Sequence, residues 1–440
     1  MKKTVSLLLC VLLVFGSLAA SALAVSEPRS FLTDSKTPVS AGKLKFSKKL
    51  GQGFVNSPTT PVVVGNTLIV AAGKKLFKLD AQTGEEIKSA SLEGSVGFAV
   101  AMPLYADGKI FVQLDGGKVQ AFDYKTMKPL WLYTDELGGQ GLSPLTYDGG
   151  FVYTGFWVGE TQSANFVCLS AKDEDPKKGT ERKKARWTFK RKGGFYMAGA
   201  VVTERFVLVG CDDGEKESGG NSLILSLNKA NGKLVSSLKT KGDLRSSVTY
   251  DGEQGAYFIA SKAGFVYRFK ADEKSGKLSA LASYKAGGSV TSSPAVYGGR
   301  VYFGCQSSGG GKFVVLNAKT MKKVYDCEMP GFPQSAALIA TGYDGRAYIY
   351  MTYNKKPGGI IMFADSPGQT EAKKTDLFTP ADNFSQFCVS TVTAGSDGTL
   401  YYKNDSGNIF AVTESTQSVF VKLLNAVLHI LLKLVSVFAK

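Results

Sequence analysis

The sequence is poor in the side chains on which most enzymes rely. It has a single histidine, His429, near the end of the chain, and three tryptophans. Serine and cysteine hydrolases of the usual kind need a histidine base, and many zinc sites need histidine ligands. No pair of carboxylates stands out as a glycosidase site. We therefore expect a protein that is not an enzyme, with no catalytic residues, no metal site and no cofactor.

Cysteine is scarce as well. The chain has six cysteines, and the first, Cys10, lies in an apolar N-terminal run. No two of the others have the Cys-x-x-Cys spacing of a redox or metal site. Each follows or lies within an apolar stretch, as in "VLVGC" and "VYFGC". We expect buried thiols, with one disulfide pair as the alternative. The five are Cys168, Cys211, Cys305, Cys327 and Cys388.

The N-terminal segment resembles a secretory signal. Two lysines precede the apolar run "SLLLCVLLVFG", and Ala22-Leu23-Ala24 has the small residues of a cleavage site. We predict a signal peptide over residues 1–24 and a linker over residues 25–42. The net charge of +16 favours acidic partners such as anionic lipids or wall polymers. Export argues against nucleic acid as a partner. The lysine-rich stretch "KKGTERKKAR" is expected to be a solvated loop.

A repeated motif is the strongest feature of the chain. "KLFKLDAQTGEEIKSASLEG", residues 75–94, is echoed by "KFVVLNAKTMKKVYDCEMPG", residues 312–331. Eight such anchors occur: "KLDA", "AFDY", "CLSA", "SLNK", "RFKA", "VLNA", "MFAD" and "FAVT". Their spacings are 43, 47, 58, 42, 47, 47 and 48 residues. A period in the forties with several short strands per unit is typical of propeller blades.

The spacing predicts an all-β fold, an eight-bladed β-propeller of four-stranded antiparallel blades over residues 43–417. Hairpin turns such as Asp-Gly and Gly-Gly separate the first two strands of most units. The eighth unit lacks a fourth strand, and "KLKFSKKLG", residues 43–51, is a strand without a unit. We expect this strand to complete the last blade and close the ring. A seven-bladed ring is the alternative if the irregular copy near residue 268 merges with a neighbour.

The "LDAQTG" motif followed by an apolar strand resembles the pyrroloquinoline-quinone-like (PQQ-like) repeat family. That family includes quinoprotein alcohol dehydrogenases and non-catalytic propellers such as an outer-membrane assembly lipoprotein. The resemblance implies a tryptophan four residues after the motif glycine, but here that position is mostly another residue, and only Trp131 matches in register. The dehydrogenases need a catalytic aspartate beside calcium and commonly a disulfide of adjacent cysteines. No adjacent cysteines and no Cys-x-x-Cys-His motif occur, so the resemblance favours the non-catalytic branch.

Loop lengths indicate where a partner would bind. The loops between second and third strands are long, as in "WVGETQSAN" and "DDGEKESGGN", and they share a face with the loops that join the blades. We expect "DDGEKESGGN" to be solvated rather than a calcium loop. The alternative for the aromatic residues of this face is packing between blades or plugging of the channel. The candidate residues for a protein, peptide or glycan partner are Gln140, Phe195, Tyr196, Arg245, Phe332 and Phe384.

The C-terminal stretch, residues 418–440, has the pattern of an amphipathic helix. Its polar residues recur at spacings of three and four on one narrow stripe, which includes Lys422, Lys433 and Lys440. A cationic helix with a broad apolar face suits an anionic membrane surface. Self-association or a partner's groove, and docking on the propeller, are the alternatives. The apolar face comprises Phe420, Leu424, Leu428, Leu431, Val435 and Phe438.

These features together predict an exported, non-enzymatic propeller that acts as a binding or scaffold protein at the cell envelope or surface. An envelope protein assembly factor is the first alternative, and a quinone-dependent or carbohydrate-active enzyme is the second.

Overall fold

Eight β-sheets follow one another along the chain in the computed structural model, which describes residues 31–98, 101–217, 219–343 and 345–415. Each sheet is built on four antiparallel strands in consecutive order, except that the last takes one strand from near the N-terminus, and two sheets carry a fifth, parallel strand. The protein is therefore an eight-bladed propeller, and the irregular copy near residue 268 forms a blade of its own. The predicted signal peptide and the predicted C-terminal helix lie outside the described residues.

The strands of each blade are given in chain order, and blades are numbered from the first complete one. Blade 1 comprises Val62–Val64, Thr67–Ala72, Lys75–Asp80 and Glu86–Ser91. Blade 2 comprises Leu104–Ala106, Lys109–Leu114, Lys118–Asp123 and Pro129–Thr134. Blade 3 comprises Thr146–Asp148, Phe151–Gly155, Ser163–Ser170 and Ala185–Lys192. Blade 4 comprises Val201–Val202, Phe206–Gly210, Asn221–Asn228 and Leu234–Lys241.

The second half of the ring repeats the same order. Blade 5 comprises Thr249–Asp251, Ala256–Ala260, Phe265–Ala271 and Leu278–Lys285. Blade 6 comprises Ala295–Tyr297, Arg300–Ser307, Gly310–Asn317 and Lys323–Met329. Blade 7 comprises Leu338–Tyr343, Arg346–Met351, Ile360–Asp365 and Lys373–Phe378. Blade 8 comprises Thr393–Ala394, Leu400–Lys403, Asn408–Glu414 and the N-terminal strand Gly42–Lys49.

The N-terminal strand closes the ring, as the sequence predicts. Gly42–Lys49 pairs antiparallel with Asn408–Glu414, so that Leu44 lies opposite Val412 and Ser47 opposite Phe410. Closure covers the edge that blade 8 would otherwise expose.

The acidic or amide residue of the repeat stabilises the turn between the third and fourth strands. Asp80 Oδ1 accepts hydrogen bonds from the backbone N–H groups of Gln82, at 2.7 Å, and Thr83, at 2.9 Å. Asn317 Oδ1 does the same for Lys319 and Thr320. A short side chain that binds the backbone two and three residues ahead is a common turn device. The recurrence of "LDA" and "LNA" thus has a local structural cause.

The hydrophobic core is divided among the interfaces between blades. Eight apolar clusters lie one at each interface, including the interface between blades 8 and 1. At the interface of blades 3 and 4, Trp187 and Phe166 pack against Val207 and Leu225. All five described cysteines are free thiols, and all but Cys327 are buried. The prediction of buried thiols is therefore confirmed for four of them, whereas Cys327 is only half-buried.

Two short strands add to this pattern. Leu32–Thr33, within the predicted linker, pairs in parallel with Ile339 and Ala340 on the channel side of blade 7. Glu181–Lys183 pairs in parallel with the outer edge of blade 2. The solvated loop predicted for "KKGTERKKAR" is thus wrong in part, because the Lys183 side chain is 2% exposed and forms ion pairs with Glu174 and Glu181.

The propeller has two distinct faces. The loop face holds the inter-blade loops and the second-to-third-strand loops, among them residues 156–162, 211–217 and 242–248. The turn face holds the remaining turns, among them residues 203–205, 229–233 and 272–277. Within the described ranges the helical content is one 3-10 turn, Asp382–Phe384, and no helix there has the length and apolar character needed to cross a membrane.

Candidate functional site

A cavity of about 370 Å³ occupies the central channel. The first strands of several blades, the short strand Leu32–Thr33 and inter-blade loops line it, with residues such as Leu32, Val62, Leu104 and Met197. Hydroxyl groups, including those of Thr60 and Ser293, supply polar atoms. The lining contains no charged side chain among the residues that the structure describes.

A cluster of charged residues lies on the loop face at blades 3 and 4. We call Glu160, Asp212, Asp243 and Arg245 the Arg245 cluster. The Arg245 Nη2 group donates to Asp212 Oδ2 at 2.8 Å, lies 3.3 Å from Asp243 Oδ2, and also pairs with Glu160. The Arg245 Nε group donates to Asp212 Oδ2 at 3.0 Å. One guanidinium therefore contacts three carboxylates.

Three separate loops bring the Arg245 cluster together. Glu160 lies in the loop after the second strand of blade 3, and Asp212 lies two residues after the end of the second strand of blade 4. Asp243 and Arg245 lie in the loop between blades 4 and 5. Asp243 Oδ1 also accepts a hydrogen bond from the Asp213 backbone N–H at 3.0 Å, which ties two of these loops together. The blade order thus brings residues 85 positions apart in sequence, Glu160 and Arg245, into contact.

Burial controls the electrostatics of the Arg245 cluster. The side chains of Asp212 and Asp243 are each 1% exposed, and that of Arg245 is 8% exposed. Burial raises the pKa of the Asp212 carboxyl well above its usual range, in spite of the neighbouring guanidinium. Burial alone would lower the pKa of Arg245, but Asp212, Asp243 and Glu160 raise it. Arg245 is therefore a permanent cation within an excess of acidic groups.

The three carboxylates of the Arg245 cluster also satisfy the distance requirement of a cation site. Oxygen atoms of Glu160, Asp212 and Asp243 lie within 4.8 Å of one another. The Arg245 guanidinium already contacts all three carboxylates, so it supplies the positive charge that a bound metal ion would otherwise supply. The guanidinium thereby offsets part of the acidic charge of the cluster.

Aromatic side chains cover one side of the Arg245 cluster. The Tyr196 ring centre lies 4.4 Å from the Arg245 guanidinium carbon, a cation–π arrangement. Trp157 meets Tyr196 edge to face at 5.0 Å. The Gln140 backbone N–H donates to the Trp157 carbonyl at 2.8 Å. Three of the six predicted loop-face residues, Gln140, Tyr196 and Arg245, therefore belong to one continuous surface.

The other three predicted loop-face residues lie elsewhere. Phe195 is completely buried between blades 3 and 4, where it packs edge to face on Phe166. Phe332 is half-buried and forms an isolated bridge with Asn354, and Phe384 is half-buried against Phe410. The residues that sequence reasoning missed are Glu160, Asp243 and Trp157. The stretch "DDGEKESGGN" was expected to be solvated, but its first residue, Asp212, is completely buried.

The eight four-stranded blades and their repeated turns define the protein as a propeller of the PQQ-like repeat class. A family model described as "Outer membrane protein assembly factor BamB" matches residues 33–173 and 170–422. The chain belongs to this family.

Solved structures with the same fold come from functionally different proteins. BamB from Moraxella catarrhalis is 14% identical with a TM-score of 0.58, over 85% of this chain and 100% of that one. Quinohemoprotein alcohol dehydrogenase from Comamonas testosteroni is 14% identical with a TM-score of 0.59, over 86% and 78%. Saccharomyces cerevisiae Sqt1 is 8% identical with a TM-score of 0.59, over 87% and 99%. Among curated proteins, none matches the chain in sequence. These similarities concern the fold alone.

The dehydrogenase relative raises the question of whether the channel fits a quinone. Pyrroloquinoline quinone bears several carboxylates, which need cationic or strong hydrogen-bonding partners when they are buried. The lining of the central cavity has apolar and hydroxyl groups but no arginine or lysine among the described residues. The channel therefore does not fit this cofactor.

Proposed function

We propose that this protein is an exported, non-enzymatic propeller that binds a protein partner at the cell envelope through its loop face. The observation on which this proposal depends is the surface formed by Gln140, Trp157 and Tyr196 beside the Arg245 cluster. It combines aromatic rings with a buried, fixed arginine, and tyrosine, tryptophan and arginine are the residue types enriched at the centres of protein interfaces. The propeller supplies a rigid support for these loops.

Family membership makes envelope protein assembly the preferred form of this proposal. The matching family model is described as an outer membrane protein assembly factor. In such a role the propeller holds a partner in place and performs no chemical step, which agrees with a loop face that binds through aromatic and charged groups. Peptide or glycan ligands on the same face are the other candidates.

Site-specific photocrosslinking tests the loop-face proposal. A photoreactive residue at position 196, introduced into the exported protein in its native cells, is expected to give a discrete adduct with an envelope protein. The same residue at position 87 is the control, because Ile87 is 53% exposed on the outer strand of blade 1. An identical adduct pattern from both positions, or adducts from position 87 alone, would contradict the proposal.

The C-terminal segment is proposed to hold the protein at an anionic membrane surface. Residues 418–440 have the amphipathic pattern described above, and the ring closes without them. Co-sedimentation of residues 25–440 with anionic liposomes, but not of a version that ends at residue 417, is the expected result. If neither version pellets and only the longer one is oligomeric, the segment is an assembly helix instead.

An enzymatic role is the alternative that the dehydrogenase likeness brings in. Because the channel lining has no positively charged group among the described residues, we expect no turnover of alcohols or simple sugars when quinone and calcium ions are added. Quinone-dependent oxidation of any alcohol would overturn the binding proposal.

A further inference from the structure

A second open cavity lies on the turn face, on the opposite side of the propeller from the Arg245 cluster. It is a groove of about 580 Å³ between blades 3, 4 and 5. Its size lies within the range of pockets that bind small ligands. We call it the basic groove, and the lining residues that matter for its chemistry are Phe151, Arg186, Arg205, Phe206, Lys229 and Lys274.

The basic groove has four cationic side chains and one carboxylate, Glu204, in its lining. Lys229 pairs with Asp148 just outside the lining and donates to the Thr203 carbonyl at 3.2 Å. Within the ranges that the structure describes, the other three cations, Arg186, Arg205 and Lys274, have no ion pair. The groove lining therefore carries an excess of positively charged side chains over its one carboxylate, Glu204.

Some of these cations are held in place. The Arg186 guanidinium carbon lies 4.8 Å from the Phe151 ring centre, which fixes the guanidinium above the ring. Lys229 is held by its contacts with Asp148 and the Thr203 carbonyl. The turn that begins at Lys229 is held by Asn228 Oδ1, which accepts a hydrogen bond from the Ala230 backbone N–H at 3.0 Å. Preorganised charges lose less entropy when they bind an anion than flexible ones do.

The remaining lining determines which anions the groove fits. The half-buried Phe151 contributes aromatic surface, the Phe206 ring is largely buried beneath it, and Asn228 and Ser275 contribute polar groups. An inorganic anion would use the cations alone, whereas a sugar with acidic substituents also uses aromatic faces and hydrogen-bonding groups. We propose that the basic groove binds an oligosaccharide that bears sulfate, phosphate or carboxylate groups. This site is independent of the protein-binding role of the loop face.

Calorimetric titration of the mature chain tests the proposal with defined probes. These are a sulfated heparin-derived tetrasaccharide, the neutral maltotetraose and inorganic phosphate, each at low and at physiological ionic strength. The sulfated tetrasaccharide is expected to bind and to weaken with salt, and maltotetraose is expected not to bind. Phosphate is expected to bind far more weakly, because it cannot reach the cations of three blades at once.

Two triple variants that lose the same amount of charge distinguish a specific binding site from general electrostatic attraction. Replacement of Arg186, Arg205 and Lys274 by alanine is expected to weaken tetrasaccharide binding about 30-fold, since each lost solvent-exposed ionic contact is worth about threefold. The matched control replaces three exposed lysines of other blades, Lys88, Lys125 and Lys319, and is expected to change affinity less than about threefold, as a longer-range charge effect. An equal loss in both variants would overturn the proposal.

A variant that gains affinity gives a test that misfolding cannot explain. Glu204→Gln removes the one carboxylate of the groove lining and is expected to tighten tetrasaccharide binding about threefold at low salt. No change in this variant, or phosphate binding as tight as that of the tetrasaccharide, would rule out an anionic-glycan site.

Discussion

The Arg245 cluster on the loop face and the basic groove on the turn face use cationic side chains in opposite ways. In the cluster, one buried guanidinium meets three carboxylates. In the groove, Arg186 and Arg205 meet none within the described chain, and both are exposed to solvent. An arginine that is paired inside the protein, like Arg245, can hold the neighbouring Tyr196 ring of the loop-face surface in place, whereas one left unpaired in a concave surface is available to a ligand.

The two regions also differ in how they are assembled. The cluster depends on long loops from different blades, which Asp213 and Asp243 tie together. The groove depends on short turns whose conformation is set locally, as in the turn that Asp272 holds through the Ser275 backbone N–H at 2.7 Å. A disturbance should therefore spread through the fold in the first region and remain local in the second.

Removal of the central arginine should give the largest effect. Arg245→Ala leaves Asp212 and Asp243 buried without their cation, and we expect it to lower the free energy of unfolding by about 3–5 kcal/mol. Arg205→Ala in the groove is the matched control and should change it by no more than about 0.5 kcal/mol. Urea denaturation followed by tryptophan fluorescence measures both. Equal losses of unfolding free energy would contradict the inference that burial and ion pairing make Arg245 more important for stability than Arg205.

A glycine at the edge of the groove should have the next largest effect. Gly276 has a φ of +71°, and an added Cβ would lie 2.6 Å from the Phe206 ring. Gly276→Ala should therefore destabilise the protein by about 2–4 kcal/mol, through a left-handed residue and a steric clash. Gly255, in the same blade, has a φ of +56° and open space around it, so Gly255→Ala should cost about 1 kcal/mol. Thermal unfolding compares the two, and a similar cost would show that the Phe206 ring moves aside freely.

The regular parts of the molecule were predictable because they arise from local rules. The Asp or Asn of each repeat binds its own turn, so the repeat is visible in the sequence as "LDAQTG" or "LNAKTM". The last blade had to take a strand from elsewhere, and the segment predicted as a strand without a unit, residues 43–51, overlaps the observed closing strand Gly42–Lys49. Both inferences require only spacing and pairing.

The Arg245 cluster was only partly predictable because it depends on contacts between distant loops. Arg245 and Tyr196 were identified from their place in inter-blade loops, but nothing local indicates that Glu160 meets Arg245. Asp212 belongs to a stretch whose composition is that of a solvated loop, and its burial follows from tertiary packing alone. Lys183 is a similar case, because its neighbours Glu174 and Glu181 pair with it only after a fifth strand forms on blade 2.

The smallest expected effect is a dependence on pH that belongs to the Arg245 cluster and not to the groove. The pKa of Asp212 is raised in the folded protein, so the folded state holds its proton more tightly than the unfolded state does. This contribution to stability is fully present below the ordinary aspartate pKa and is lost as the pH rises through the raised value. The asparagine of the Asp212→Asn variant cannot lose a proton. The thermal midpoint of this variant should therefore decline less between acidic and neutral pH than that of the wild type. The difference in unfolding free energy should be about 1 kcal/mol for each unit by which the Asp212 pKa is raised. Glu204→Gln, in the groove, should leave the wild-type profile unchanged. If Asp212→Asn instead follows the wild-type profile, the guanidinium of Arg245 outweighs burial and keeps Asp212 ionised throughout.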